Sequence, residues 1–266
     1  MPSVATQSAQ ARRAEILRLA TTSGLASVED LSTQFGVTAS TIRRDLAKLT
    51  NNGKLARTYG GAISLTPPPE SSLRQRIGVA YSAKHAIARW AASQVESGET
   101  VLLDGGSTVG ALAEELRARR DLRDVTAVIA GLTAIDALAE AEEIGVVALG
   151  GRLRSLSQAF VGPIAEAAVA RMTFDRAFMG ADAVHAQRGI CEASLDQTRL
   201  KELIMSRAMH TYVLAHGAKL GQSPFHAWAL MPANWTLVTD STAETSQLEA
   251  FRAAGVDVVV APSLSN

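Results

Sequence analysis

Between residues 99 and 260, short apolar runs alternate with amphipathic helical stretches, and this alternation limits the possible folds more than any other feature of the chain. The runs fall at 100–103, 125–130, 146–149, 176–179, 211–215, 236–239 and 257–260. Helical patterns lie between most of them, at 109–119, 133–142, 164–171, 198–208 and 245–254. Parallel strands need long crossovers, and helices supply them while covering both faces of the sheet. The expected class is therefore α/β, a doubly wound and mostly parallel sheet, in the larger part of a 266-residue chain that is 47% hydrophobic.

The first 65 residues follow another rhythm. A helical pattern over 11–22 turns Ile16, Leu19 and Ala20 inward and stops near Gly24. Ser27 with Asp30 forms a capping-box pattern, and Val28, Leu31 and Phe35 make the next apolar stripe before Gly36. Then comes VTASTIRRDLAKL, in which Thr38 or Ser40 can cap a helix and Ile42, Leu46 and Leu49 recur at i, i+4 and i+7. Three short helices with a Gly turn before the third are the helix-turn-helix pattern. The third helix sets short hydroxyls in its first turn, followed at once by two guanidinium groups, as a helix entering a DNA major groove requires. The DNA-facing set is Thr38, Ser40, Thr41, Arg43, Arg44 and Lys48. Asp45 is read as organising Thr41 or Lys48 on its own helix. The segment KLARTYGGAI predicts a hairpin turning near Tyr59, Gly60 and Gly61, a wing whose Lys54 and Arg57 reach phosphate.

Charge agrees with this division. The chain has 26 basic and 26 acidic residues, yet residues 1–65 hold eight basic residues against four acidic ones. A basic head on a mildly acidic body fits a nucleic-acid reader joined to something else. The prolines at 67–69 form an extended spacer. A single helix over 73–95 should follow, with Ile77, Ala80, Ile87, Ala88, Trp90 and Ala91 as its apolar members, acting as a connector. The expected domains are 1–65, a winged helix-turn-helix; 66–98, linker and connector; and 99–266, an α/β sensing domain. No stretch has the length and apolarity of a membrane span, and MPSVATQSAQARR lacks the apolar centre of a signal peptide, so a cytoplasmic protein without membrane partners is expected.

Ligands of open α/β sheets bind outside the carboxyl ends of the strands. Asp104, Gly105, Gly106, Ser107 and Thr108 follow the first run and open a helix whose free amides favour an anion. Gly150 and Gly151 follow the third run, Asp182 the fourth, and Lys219 the fifth. A lysine and a carboxylate meeting a hydroxylated anion loop suit a phosphorylated sugar or polyol. No Lys stands where a nucleotide-phosphate loop needs one, and G-x-G-x-x-G is missing, so no cofactor is expected. The five histidines lack metal-ligand spacing, and Cys191 beside Glu192 has no evident base partner and reads as a buried or rim thiol.

These segments resemble the DeoR family of bacterial transcriptional regulators along nearly the whole chain. The resemblance lies in TIRRDL with the following G-K-L-x-R and G-G-A, then in LDGGST, LGG, DRAFMGAD, Lys201 and A-K-L-G at 218–221. It implies an effector domain similar to ribose-5-phosphate isomerase and coenzyme A transferases, and a phosphorylated sugar as effector. It also implies DNA roles for Ser40, Thr41, Arg43 and Arg44, and effector roles for Asp104, Gly106, Ser107, Thr108, Asp182 and Lys219. The chain departs from the family pattern at Tyr59, Gly131, Cys191, Glu192 and His216-Gly217-Ala218.

The reading is a DNA-binding regulator, of the repressor type, for carbohydrate genes. It is expected to be a homo-oligomer on double-stranded operator DNA with repeated half-sites, because symmetric oligomers present paired reading heads. Two alternatives stay open. One is a sugar-phosphate isomerase or acyl-transfer enzyme with an added DNA module, with Glu192 or Asp182 as base. The other is an interaction protein whose site has decayed.

Overall fold

The computed structural model describes residues 8–23, 26–52, 55–58, 61–64 and 70–263. The chain forms two compact units, Met1–Pro69 and Glu70–Asn266.

The first unit contains α1 (Ala9–Ser23), β1 (Ala26–Ser27), α2 (Val28–Phe35), α3 (Ala39–Asn51), β2 (Leu55–Thr58) and β3 (Gly61–Ser64). Its core is small: Ile16 from α1, Val28 and Leu31 from α2, and Ile42, Leu46 and Leu49 from α3. Gly36 takes φ 61°, a left-handed turn that ends α2, and Thr38 caps α3 by accepting from the Thr41 amide. The wing pairs β2 with β3 antiparallel, Leu55 opposite Ser64 and Thr58 opposite Gly61. The two-residue strand β1 pairs with β3 as a third member that the sequence did not reveal. Lys54, Tyr59, Gly60 and the prolines at 67–69 lie outside the described residues, as does the side chain of Arg57.

Asp45 corrects the sequence reading. Its carboxylate accepts from Arg12 Nε at 2.7 Å and Arg13 Nη1 at 3.1 Å, so it fastens α3 to α1 instead of serving neighbours on its own helix. Arg12 and Arg13 are thereby removed from the pool of cations open to DNA.

The second unit opens with α4 (Leu73–Ile77) and α5 (Tyr81–Ser93). The single helix expected over 73–95 is broken, because Ala80 stands at φ 52° in the left-handed region and Ile77 and Val79 are exposed. Ile87, Ala88 and Ala91 of α5 are fully buried against the sheet. Residues expected as linker and connector thus belong to the sensing unit from Glu70 onward.

Seven parallel strands follow: β4 (Thr100–Leu103), β5 (Val125–Ile129), β6 (Ile144–Ala148), and, after the hairpin of β7 (Arg152–Arg154) and β8 (Ala159–Val161), β9 (Phe174–Met179). Beyond β10 (Ala183–His185) and β11 (Gly189–Glu192) come β12 (Ala208–Leu214), β13 (Ala227–Ala229), β14 (Thr236–Thr239) and β15 (Asp257–Val260). The large sheet has the order β15-β14-β12-β9-β4-β5-β6, and every neighbouring pair is parallel. One apolar core packs α5, α6 (Ser107–Ala118) and α7 (Leu132–Leu138) on one face. The other packs α8 (Pro163–Val169), α9 (Leu195–Met205) and α10 (Thr245–Ala253) on the opposite face. The β7-β8 hairpin and a small antiparallel sheet, β10-β11-β13, were not foreseen. Strand order reverses between β4 and β9, which makes their carboxyl ends the topological switch point. Among the described residues, no helix is long and apolar enough to cross a membrane.

Candidate functional site

The exposed face of α3 carries Ser40, Arg43, Arg44 and Lys48, while Ile42, Leu46 and Leu49 face the core. Thr38 Oγ1 lies 2.9 Å from Ser40 Oγ and 3.0 Å from Thr41 Oγ1, a hydroxyl cluster at the helix N-terminus. Arg43, Arg44 and Lys48 have no ion-pair partner among the described residues. Local hydroxyls that order the first turn and unneutralised cations beside them are what groove entry and phosphate contact require.

The second site lies at the switch point. Asp104 directly follows β4, and its backbone amide donates to Phe178 O on β9 at 3.1 Å, while its Oδ2 accepts from the Gly180 amide at 3.0 Å. Close backbone approach explains the glycines: a Cβ at Gly131 would stand 2.8 Å from Gly105 Cα, and one at Gly180 would stand 2.8 Å from Gly105 O. Without side chains there, the ends of β4, β5 and β9 meet backbone to backbone. A small, partly open cleft lies above them.

Of the predicted effector residues, Gly105, Gly106, Ser107, Thr108, Asp182, Glu192 and Lys219 line this cleft, with Asp104 bonded directly beneath it. Gly150 and Gly151 do not. They sit at φ 70° and 99° where the chain turns into the β7-β8 hairpin, so their role is to make that turn. Arg76, Ser157, Gln197 and Lys201 were absent from the predicted set, although Lys201 entered through the family resemblance. Arg76 comes from α4, Ser157 from the β7-β8 turn, and Gln197 and Lys201 from α9. A signal existed for the last two, since both fall on the buried stripe of α9 with Leu200 and Ile204. A polar residue on an apolar stripe marks a buried partner.

Beneath the cleft Lys201 is fully buried. Its ammonium donates to Asp104 Oδ2, to Gly180 O at 2.8 Å and to Glu192 Oε1 at 3.1 Å. Burial pushes the Glu192 carboxyl up to about 8 against the pull of Lys201, with Asp182 and Asp104 raising it further. Lys201 stays charged well past its usual range because Asp104 and Glu192 outweigh the burial that would lower it. The consistent arrangement is one ion pair, Lys201 with Asp104, beside a Glu192 that keeps its proton at neutral pH.

Nearer the opening, Arg76 Nη1 donates to Asp182 Oδ1 at 2.6 Å, and Lys219 donates to Ala181 O. Burial lowers the Lys219 ammonium from its usual value, against the attraction of Asp182. Lys84 on α5 donates to Arg76 O and is lowered to about 8, first by burial and then by the Lys219 and Arg76 charges. His216 is buried and held neutral, its imidazole lowered to about 4 by burial and the neighbouring lysines. Cys191 is buried, its thiol donating to Phe225 O at 3.4 Å, and burial raises it to about 11, so it is not a ready nucleophile.

Comparison with known proteins matches two parts of the chain. Residues 12–67 match the DeoR-like helix-turn-helix domain, and residues 79–241 match the DeoR C terminal sensor domain. The chain belongs to the DeoR family of transcriptional regulators. Within that family it is 33% identical to the HTH-type transcriptional regulator GlpR of Haloferax volcanii, over 93% of this chain and 96% of that protein. It is 30% identical to the transcriptional repressor AccR of Agrobacterium fabrum, over 90% of this chain and 92% of that one. The lactose phosphotransferase system repressor of Streptococcus mutans is also 30% identical, over 86% and 91%. As a DeoR-family member, the chain is a DNA-binding transcriptional regulator with a sensor domain.

Proposed function

We propose that this protein is a homo-oligomeric repressor of carbohydrate genes whose hold on its operator is controlled by a small phosphorylated sugar bound at the switch-point cleft. One observation carries the reading. The Gly106-Ser107-Thr108 entry to α6 shares a single cleft with the Lys219 cation and the Arg76–Asp182 pair. Helix-start amides and cations suit a phosphate, and a carboxylate suits hydroxyls. Relatives named as repressors, one of them of a lactose phosphotransferase system, support the sugar class.

The protein senses its ligand without turning it over. Neither candidate base stands free: Asp182 gives one oxygen to Arg76, and Glu192 is buried against Lys201. Binding controls DNA through a difference in affinity between DNA-competent and incompetent states. Arg76 belongs to the segment that directly follows the DNA-binding unit. That segment is held down by the Leu73 amide on Leu156 O at 2.8 Å and by Glu70 on Arg154 Nη1 at 2.6 Å.

The test is anisotropy titration of an operator duplex, identified by sequencing DNA bound in cells, with and without a panel of tetrose to hexose phosphates. At least one sugar phosphate should change operator affinity by several-fold with no product formed. Operator affinity indifferent to the whole panel would sink the proposal, and turnover would move the protein to the enzyme class.

A further inference from the structure

Hydrogen-bonding capacity in the cleft is left open in a selective way. Among the described residues, eight buried side-chain nitrogen or oxygen atoms lack a partner, and five of the eight belong to residues lining this cleft. They are Arg76 Nε and Nη2, Ser157 Oγ, Asp182 Oδ2 and Gln197 Oε1. Ser157 and Gln197 are 3% and 6% exposed, and the Asp182 side chain is 8% exposed. A buried polar atom without a partner costs about 1–3 kcal/mol, so four such residues around one cavity indicate partners supplied from outside the chain.

From this we propose that Arg76, Ser157, Asp182 and Gln197 form a hydroxyl-reading subsite of the cleft, which selects a polyhydroxylated ligand. The proposal rests on the sugar-phosphate reading above and assigns its specificity residues. Arg76 and Asp182 meet through only one nitrogen and one oxygen. A ligand hydroxyl beside that pair can donate to Asp182 Oδ2 while accepting from Arg76 Nε or Nη2. Gln197 Oε1 accepts from a second hydroxyl, and Ser157 Oγ takes either role. Open carboxyl and amide oxygens in the same cleft as guanidinium donors match adjacent hydroxyls, which both donate and accept. They do not match a bare alkyl chain, which does neither. The four side chains come from α4, the β7-β8 turn, the β9-β10 connection and α9, so the subsite exists only in the folded sensor.

Isosteric replacement tests this without opening a cavity. Full-length protein carrying Gln197→Met or Ser157→Ala should keep wild-type operator affinity and equal or higher thermal stability, since each change removes an unpaired polar atom. Binding is read by thermal shift and calorimetry, with ribose 5-phosphate, ribitol 5-phosphate and fructose 6-phosphate set against pentyl phosphate and inorganic phosphate. The wild type should favour at least one polyol phosphate over pentyl phosphate, and each variant should narrow that preference by about 3- to 10-fold while binding pentyl phosphate unchanged. Three results overturn the subsite. If both variants bind polyol phosphates as the wild type does, the subsite fails while the sugar-phosphate reading survives. If the wild type does not discriminate polyol from alkyl phosphate, the subsite fails and only a phosphate site remains. If no phosphate compound binds at all, both proposals fall together.

Discussion

Arg43, Arg44 and Lys48 on α3 point into solvent, whereas Lys201 and Lys84 in the sensor are buried and Lys219 is partly so. The first group has no ion-pair partner among the described residues, and the second is fixed by carboxylates and backbone carbonyls. Cations in water act at long range, are screened by salt, and suit a polyanion whose phosphates repeat along a groove. Cations in a low-dielectric cleft act over a few ångströms and recognise one geometry, because each misplaced charge there is costly. Even within the first unit the distinction holds, since Arg12 and Arg13 share the same small domain as Arg43 but are spent on Asp45. Burial and pairing, more than residue type, separate the charges left open to a polyanion from those that hold structure.

The largest effect expected from breaking this contrast is on folding. Lys201→Met leaves Asp104 buried without its counter-charge, and the sensor should lose about 3–5 kcal/mol of stability, with little dependence on salt. Chemical denaturation at two ionic strengths measures it, and a loss below about 1 kcal/mol would mean that the buried pair does not anchor the strand ends. Next comes Arg44→Ala. It should weaken operator binding roughly tenfold, reduce the slope of log affinity against log salt by about one, and leave thermal stability unchanged. A gel-shift series across salt concentrations that finds an unaltered slope would remove Arg44 from the interface.

The remaining effect, one of pH dependence, concerns the protonated carboxyl. Glu192 titrates near 8 in the folded protein and near 4.5 when unfolded. Between those values the folded state holds a proton that the unfolded state has released, so the contribution of Glu192 to stability fades as pH rises from about 4.5 through 8. Glu192→Gln lacks this slope. Its melting temperature should match the wild type near pH 4.5 and exceed it by a margin that grows up to about pH 8 and then levels off. Parallel profiles for the two proteins would place the proton elsewhere.

Much of this architecture was legible in the sequence because it depends on local periodicity. Strands β4, β14 and β15 begin and end where the apolar runs do, and the stripe of Ile42, Leu46 and Leu49 defined α3 and its outward face. The strand-end rule likewise located Asp104, Ser107, Thr108, Asp182 and Lys219 around one cleft, since parallel strands in a doubly wound sheet bring their carboxyl ends together. Gly150 and Gly151 show the limit of that rule, because a glycine pair after a strand also serves a plain turn.

What periodicity cannot encode is which distant side chains meet. The clasp of Asp45 on Arg12 and Arg13, the break at Ala80, and the arrival of Arg76, Ser157 and Gln197 at the cleft all depend on contacts between segments far apart in the chain. The amino-acid order by itself determined that a helix with a basic outward face precedes a parallel α/β sensor, since helix and strand periods are properties of neighbouring residues. Only the tertiary structure decided which charges stay in water and which are buried against a partner, because desolvation is set by everything that packs around a group.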